Sequence, residues 1–253
     1  MTDIPDNLQN SHGTGSGTQR ASKFWMVQVV AVGGVFVVLS LGLWSAFRNA
    51  RERALRTQCP NNLKQIGLAL HAYHEQYKVL PPAYTVDANG NPLHSWRTLI
   101  LPFLDQAELY KSIDLAKPWN DPANARAFAS VVANYQCLLS GTPPSETTYL
   151  AIVTPQSGIR VTECRNFAEI TDGLSHTLLV IEVPASRAVH WMSPLDADES
   201  LVLSIDSKMK PTHTTGSHGL MGDGSIRTIP PTMPVAQRLA LISIAGNEPI
   251  DEF

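Results

Sequence analysis

The sequence predicts an α+β fold in which a long N-terminal helix leads into short helices and then an antiparallel sheet. Three observations carry this. Residues 24–47 form an uncharged apolar run, residues 61–77 repeat apolar side chains at helical spacing, and from about residue 147 β-rich runs alternate with turn signals. Helices first and strands later point to one α+β core rather than to alternating βαβ units.

The first 23 residues, polar and rich in Gly, Ser and Thr, read as a disordered tail. The stretch 24–47, "FWMVQVVAVGGVFVVLSLGLWSAF", carries no charge and has Trp25 and Trp44 near its ends. As a helix it would span about 36 Å, against about 30 Å of hydrocarbon. A buried core helix is rarely apolar on every side, and a cleaved signal peptide has a shorter apolar region. A single-pass membrane anchor is therefore the expectation for 24–47. Arg48, Arg51, Arg53 and Arg56 follow the run, and by the positive-inside rule alone they would keep the C-terminal part in the cytoplasm.

"RNARERALRTQ" is dense in helix formers, and Pro60 is expected to interrupt before "NNLKQIGLALHAYHEQY" resumes under an Asn61 or Asn62 cap. Leu63, Ile66, Leu70, Tyr73 and Tyr77 make one apolar stripe, suited to carrying a sheet. "SWRTLILPFLDQAELYKSI" reads as a second helix with Leu99, Phe103, Leu104 and Tyr110 inward. "NDPANARAFASVVA" reads as a third, capped by Asp121 ahead of Pro122. "TTYLAIV", "TLLVIEV" and "SLVLSI" read as strands, and "PVAQRLALISIAG" as a closing helix.

Composition narrows the function. The chain has 253 residues, 43% hydrophobic and 16% charged, with a net charge of -3, so it is neither disordered throughout nor basic enough for nucleic acid. There is no Gly-x-Ser-x-Gly elbow, Walker loop or Gly-x-Gly-x-x-Gly. Cys59, Cys137 and Cys164 are too few for a disulfide framework and lack paired zinc spacing; one disulfide and one free thiol suits an oxidising compartment. Cys164 beside Arg165 reads as an incidental thiol, and Glu182 with His190 as a polar pair on a strand.

The segment "HTTGSHGLMGDGSIRTI", residues 213–229, admits two readings. His213, His218 and Asp223 have the right chemistry for a zinc or iron site or an acid/base pair. Equally, Asp223-Gly224 between extended runs signals a hairpin turn, of type I′ with positive φ at both central residues. The turn is preferred, because no His-Glu-x-x-His helix or suitably spaced second carboxylate accompanies the histidines. No catalytic, cofactor or metal residue is therefore assigned.

"CPNNLKQIGLALHAYHEQYKVLPPA", "SWRTLILPFLDQAELY", "PWNDPAN", "FAEITDGLSHTLLVIE", a Trp before "SP", and His213 nine residues ahead of Asp223-Gly224 recur together in one family. Over residues 48–253 the chain resembles the planctomycete DUF1559 family, type IV pilin- or pseudopilin-like proteins with a His-x9-Asp-Gly signature. The resemblance implies a pilin-like fold, a long transmembrane-to-domain helix packed on an antiparallel sheet, with His213, Asp223 and Gly224 as signature residues. It also implies a domain outside the cytoplasm, against the arginine count, and there Cys59 and Cys137 are the pair expected to bond. The chain departs from the family where prepilin peptidase cuts: no glycine precedes Phe24, and Gln28 stands at the usual glutamate. The leading expectation is a membrane-anchored, non-enzymatic pseudopilin-like envelope protein acting through protein–protein contacts, in a homo- or hetero-oligomer with other pilin-like proteins. The alternatives are a ligand- or glycan-binding module using Trp96, Trp119 and Trp191, and a metal-dependent hydrolase using His213, His218 and Asp223.

Overall fold

The structure, a computed structural model, describes residues 17–205, 212–213 and 215–248, and between 17 and 56 the helical backbone with only some of its side chains. The chain divides into two compact units, Met1–Arg53 and Ala54–Phe253.

Helix α1 (Gly17–Tyr77) supplies the described part of the first unit and opens the second. Its backbone starts within the stretch read as a tail, of which residues 1–16 lie outside the described residues. Among the described residues, no helix is long and apolar enough to cross a membrane. This overturns the transmembrane helix at 24–47, and with it the pilin-like transmembrane-to-domain fold, the membrane as partner and the single-pass membrane localisation. The described side chains of that stretch do not make an unbroken apolar run. In that stretch the described side chains set Leu39, Leu43, Trp44 and Phe47 among Gly34, Ser40, Gly42 and Ser45, and Arg48 follows at once. The remaining side chains of 24–47 lie outside the described residues.

The second unit mixes helices with antiparallel sheets. After α1 come β1 (Tyr84–Val86), β2 (Pro92–Ser95), α2 (Trp96–Leu99), α3 (Ala107–Lys111) and α4 (Ala125–Phe128). Then follow β3 (Glu146–Thr147), β4 (Tyr149–Ala151), β5 (Leu178–Glu182), β6 (Val189–His190), α5 (Glu199–Ser204), β7 (Ser217–Met221), β8 (Ile226–Ile229) and α6 (Val235–Ile242). The central sheet has the order β4-β5-β7-β8, all antiparallel, and β1-β2 and β3-β6 form two small antiparallel pairs.

Each face of the central sheet is covered. Alternation along the strands sends Tyr149, Ala151, Val180 and Leu220 into one cluster with Cys59, Leu63, Ile66 and Leu70 of α1. Leu150, Ile152, Leu178, Ile181, Met221 and Ile229 face the other way, against Val202, Ile205, Leu241 and Ile242 of the α5–α6 layer. A bulge between Leu178 and Val180 puts Leu179 on the α1 side as well, where plain alternation would not.

Several elements differ from expectation. Pro60 sits inside α1 without ending it. The turn around it is held by other bonds: Cys59 is disulfide-linked to Cys137, and the Asn62 side chain donates to the carbonyls of Ala133 (3.2 Å) and Gln136 (2.7 Å). "SWRTLILPFLDQAELYKSI" is α2, a 3-10 turn at Leu101–Phe103 and α3, broken around Pro102 and by Asp105 at φ +57. "SLVLSI" is helix α5, because Asp198 accepts from the Leu201 amide at 2.8 Å and caps it.

Candidate functional site

The buried polar groups meet under α1. On β5, Glu182 shares the α1-facing side with Val180; on β7, His218 shares it with Leu220. The pairing Val180↔Leu220 and Ile181↔Gly219, continued by one residue, sets Glu182 directly opposite His218. The His218 Nδ1 lies 2.9 Å from Glu182 Oε2. His213, from the segment just before β7, brings its Nε2 to 3.2 Å from Glu182 Oε1 and 3.1 Å from Oε2. The two imidazoles meet edge to face with centroids 4.2 Å apart. One glutamate therefore draws both histidines.

The disulfide closes the cluster from the helix side. Cys59 begins the buried stripe of α1 and is bonded to Cys137, with Cα atoms 5.2 Å apart. The Cys137 Sγ is 3.6 Å from His213 Nε2. Glu182 is 1% exposed, Cys59 0%, Cys137 3% and His213 7%, so these four groups are sealed from solvent, while the His218 side chain is partly exposed. Burial alone would push the Glu182 carboxyl up, but the hydrogen bonds from His213 and His218 outweigh it and hold the group below its ordinary value. Tyr149, paired with Glu182 across the sheet, is pushed up by burial and then by that carboxylate.

Asp223 stands apart from this cluster. Asp223 Oδ1 accepts from the Ser225 amide at 2.8 Å, the Gly224 amide donates to Met221 O at 2.9 Å, and Gly224 has φ +78. Only Gly224 of the pair has positive φ, so the turn is not type I′. The Met221 amide also donates to Ser225 O at 2.9 Å, which gives a three-residue loop closed by a glycine bulge. From α1, Lys64 Nζ donates to Gly224 O at 2.7 Å and His71 Nε2 donates to Gly222 O at 2.9 Å. Gly67, between them on the same helix face, lets the hairpin approach: a Cβ there would lie 2.7 Å from Leu220 Cδ1.

The remaining candidates have structural surroundings. His190 does not pair with Glu182; its ring stacks on Phe128 with centroids 4.0 Å apart and its Nε2 donates to Phe128 O at 3.1 Å. Trp96 and Trp191 are buried, and Trp119 is half-buried. Cys164 is a free, exposed cysteine whose thiol is pushed up by partial desolvation, which disfavours the reactive thiolate.

Sequence reasoning missed the buried ion pair of Arg97 and Asp196, 2.7 Å apart. Arg97 donates to Asp196 and to the carbonyls of Tyr149, Trp191, Ser193 and Leu195, while Asp196 also accepts from Trp96 Nε1 and the Ala151 amide. Arginine's fork of donors suits such a knot of carbonyls. No local signal pointed to it: on the helix read over "SWRTLILPFLDQAELYKSI", Arg97 falls away from the inward Leu99, Phe103 and Tyr110, and only the assembled fold buries it.

Fold and site together define an α+β domain with a sealed, cystine-linked polar cluster. A family model described as "Protein of unknown function (DUF1559)" matches residues 48–158, and the match supports the DUF1559 family. That segment holds Cys59, Arg97 and Cys137; Glu182, His213, Asp223 and Gly224 lie beyond it. No curated protein and no solved structure matches the chain.

Proposed function

We propose that this chain is a non-enzymatic protein whose C-terminal unit acts through protein–protein contacts. The observation that carries the reading is the burial of its acid/base groups: Glu182 and His213, the groups best suited to catalysis, are sealed and bonded to one another. A catalytic carboxylate or imidazole must come within about 3 Å of a substrate atom, directly or through one water. A surface hollow of about 590 Å³, lined by Gln106, Glu108, Leu109, Lys111, Arg126 and Val131, contains none of these groups. The glycan-binding alternative loses support because Trp96 and Trp191 are core residues. Exposed apolar side chains at Phe128, Val131 and Leu138 offer a contact surface outside the core.

The test uses the full chain and two measurements. Sedimentation velocity over a range of concentrations is expected to show association that weakens in a Val131→Glu/Leu138→Glu variant. Ester, phosphodiester and peptide reporters are expected to turn over no faster than the blank. Hydrolysis that disappears in Glu182→Gln would overturn the reading, as would a chain that stays monomeric throughout.

A further inference from the structure

The sealed cluster contains a donor set that its disulfide form does not use. Cys59 Sγ, Cys137 Sγ, a Glu182 carboxylate oxygen and His213 Nε2 all lie within 4.8 Å of one another, and all four residues are buried. We propose that when the disulfide is reduced these four side chains bind one zinc ion in a closed tetrahedral site.

The distances match this already on two edges. With Zn–N and Zn–O near 2.0–2.2 Å and Zn–S near 2.3 Å, tetrahedral edges are about 3.6 Å for N to S and about 3.4 Å for N to O. The observed separations are 3.6 Å from His213 Nε2 to Cys137 Sγ, and 3.1 and 3.2 Å from His213 Nε2 to the Glu182 oxygens. The edge that must change is the sulfur–sulfur one, which opens from a covalent bond to about 3.8 Å. The ligands come from four separate places, α1, the turn before Ser140, β5 and the segment ahead of β7, so the ion would join the parts that the cystine and the imidazole–carboxylate pair join now. His218 already holds Glu182 Oε2 at 2.9 Å, a contact that orients the carboxylate as a liganding oxygen. Four protein ligands leave no open coordination position, which makes this a structural site rather than a hydrolytic one.

The exchange balances. A small dithiol reduces the Cys59–Cys137 bond, passing two electrons and two protons to the cysteines and itself becoming a disulfide. Zinc then displaces both thiol protons to solvent, and His213 changes tautomer, its proton passing through solvent from Nε2, where it was donated to Glu182, to Nδ1, so that the Nε2 lone pair is free for the metal. Zinc release and oxidation by a small disulfide run the same steps backwards.

The experiment uses the full chain in two states, oxidised and reduced with a phosphine, which does not compete for zinc as a dithiol would. Each is mixed with excess zinc, desalted, and its metal content measured; cobalt(II) replaces zinc in a parallel spectrum. The reduced chain is expected to retain about one zinc and, with cobalt, to show thiolate-to-cobalt charge transfer. The oxidised chain is expected to retain at least tenfold less and to lack the band. Cys164→Ser is expected to behave as wild type, and Glu182→Gln and His213→Gln to bind at least tenfold more weakly. Because the cobalt band is read on the wild-type chain, the test stands even if a ligand variant fails to fold. Zinc retained equally by both states, bound without the thiolate band, or not retained by the reduced chain would overturn the proposal. None of these outcomes depends on whether the chain self-associates.

Discussion

Replacing Cys59 and Cys137 together by alanine is expected to remove a large single contribution to the stability of the second unit. The bonded residues are 78 apart in sequence. For a closed loop of that length the chain-entropy relation gives about 4.5 kcal/mol at 25 °C, released when the unfolded chain is no longer constrained. Buried Trp96 and Trp191 supply the readout, since unfolding moves both indoles from core to water. With a urea dependence of about 2 kcal/mol per molar, the fluorescence midpoint is expected to fall by about 2 M. A chelator is kept in both samples so that no metal takes over the role of the sulfur bond. The slope must be equal in the two proteins for midpoints to be compared as stabilities. A fall worth less than about 1 kcal/mol at equal slope would refute the reasoning: Cys59 and Cys137 would then be held together by the packing around them.

Three other outcomes follow from individual contacts in the structure. Arg97→Met leaves the Asp196 carboxylate buried without its counter-charge, and is expected to cost about 3–5 kcal/mol, read as a lower thermal midpoint. Gly216→Ala places a Cβ against the Ile229 carbonyl at φ +133, and is expected to cost about 3 kcal/mol or more in the same melt. Burial pushes the fully buried His94 below its ordinary imidazole range, against the hydrogen bond from its Nε2 to Lys117 O. The unfolded chain thus takes up that proton first, so His94 contributes stability that is complete above about pH 6.5 and is lost as pH falls from there toward the folded value. Urea midpoints measured between pH 7.5 and 5 are expected to fall in wild type and to fall less in His94→Gln.

What could be read in the sequence was local. The stripe Leu63, Ile66 and Leu70 is buried, because helical period alone decides which side of α1 meets the sheet, although Tyr77 at its end is 52% exposed. "TTYLAIV" and "TLLVIEV" contain β4 and β5, and "PVAQRLALISIAG" contains α6. "SLVLSI" was misjudged because a six-residue apolar run fits either period, and the capping Asp198 lies just outside it. The N-terminal run reads as a span on its lack of charge, whereas among the described residues no helix is long and apolar enough to cross a membrane. The polar cluster was the least legible part. Glu182 stands out as the one charge in an apolar strand, yet nothing local says that its partners are 31 and 36 residues away rather than at nearby His190. Strand register decides that, and register belongs to the assembled sheet.

The grip of α1 on the last hairpin has a consequence for how the chain is made. Lys64 and His71 reach carbonyls 160 and 151 residues further along. An emerging polypeptide can wind that helix early, but its gripping side has nothing to hold until the ribosome has released the loop at Gly222 and Gly224. Contacts so distant in sequence slow folding, since a long stretch must be gathered before any reward is collected. Synthesis halted before residue 222 would leave Leu63, Ile66 and Leu70 without the β7–β8 end of their platform, a sticky intermediate of the kind that chaperones retain.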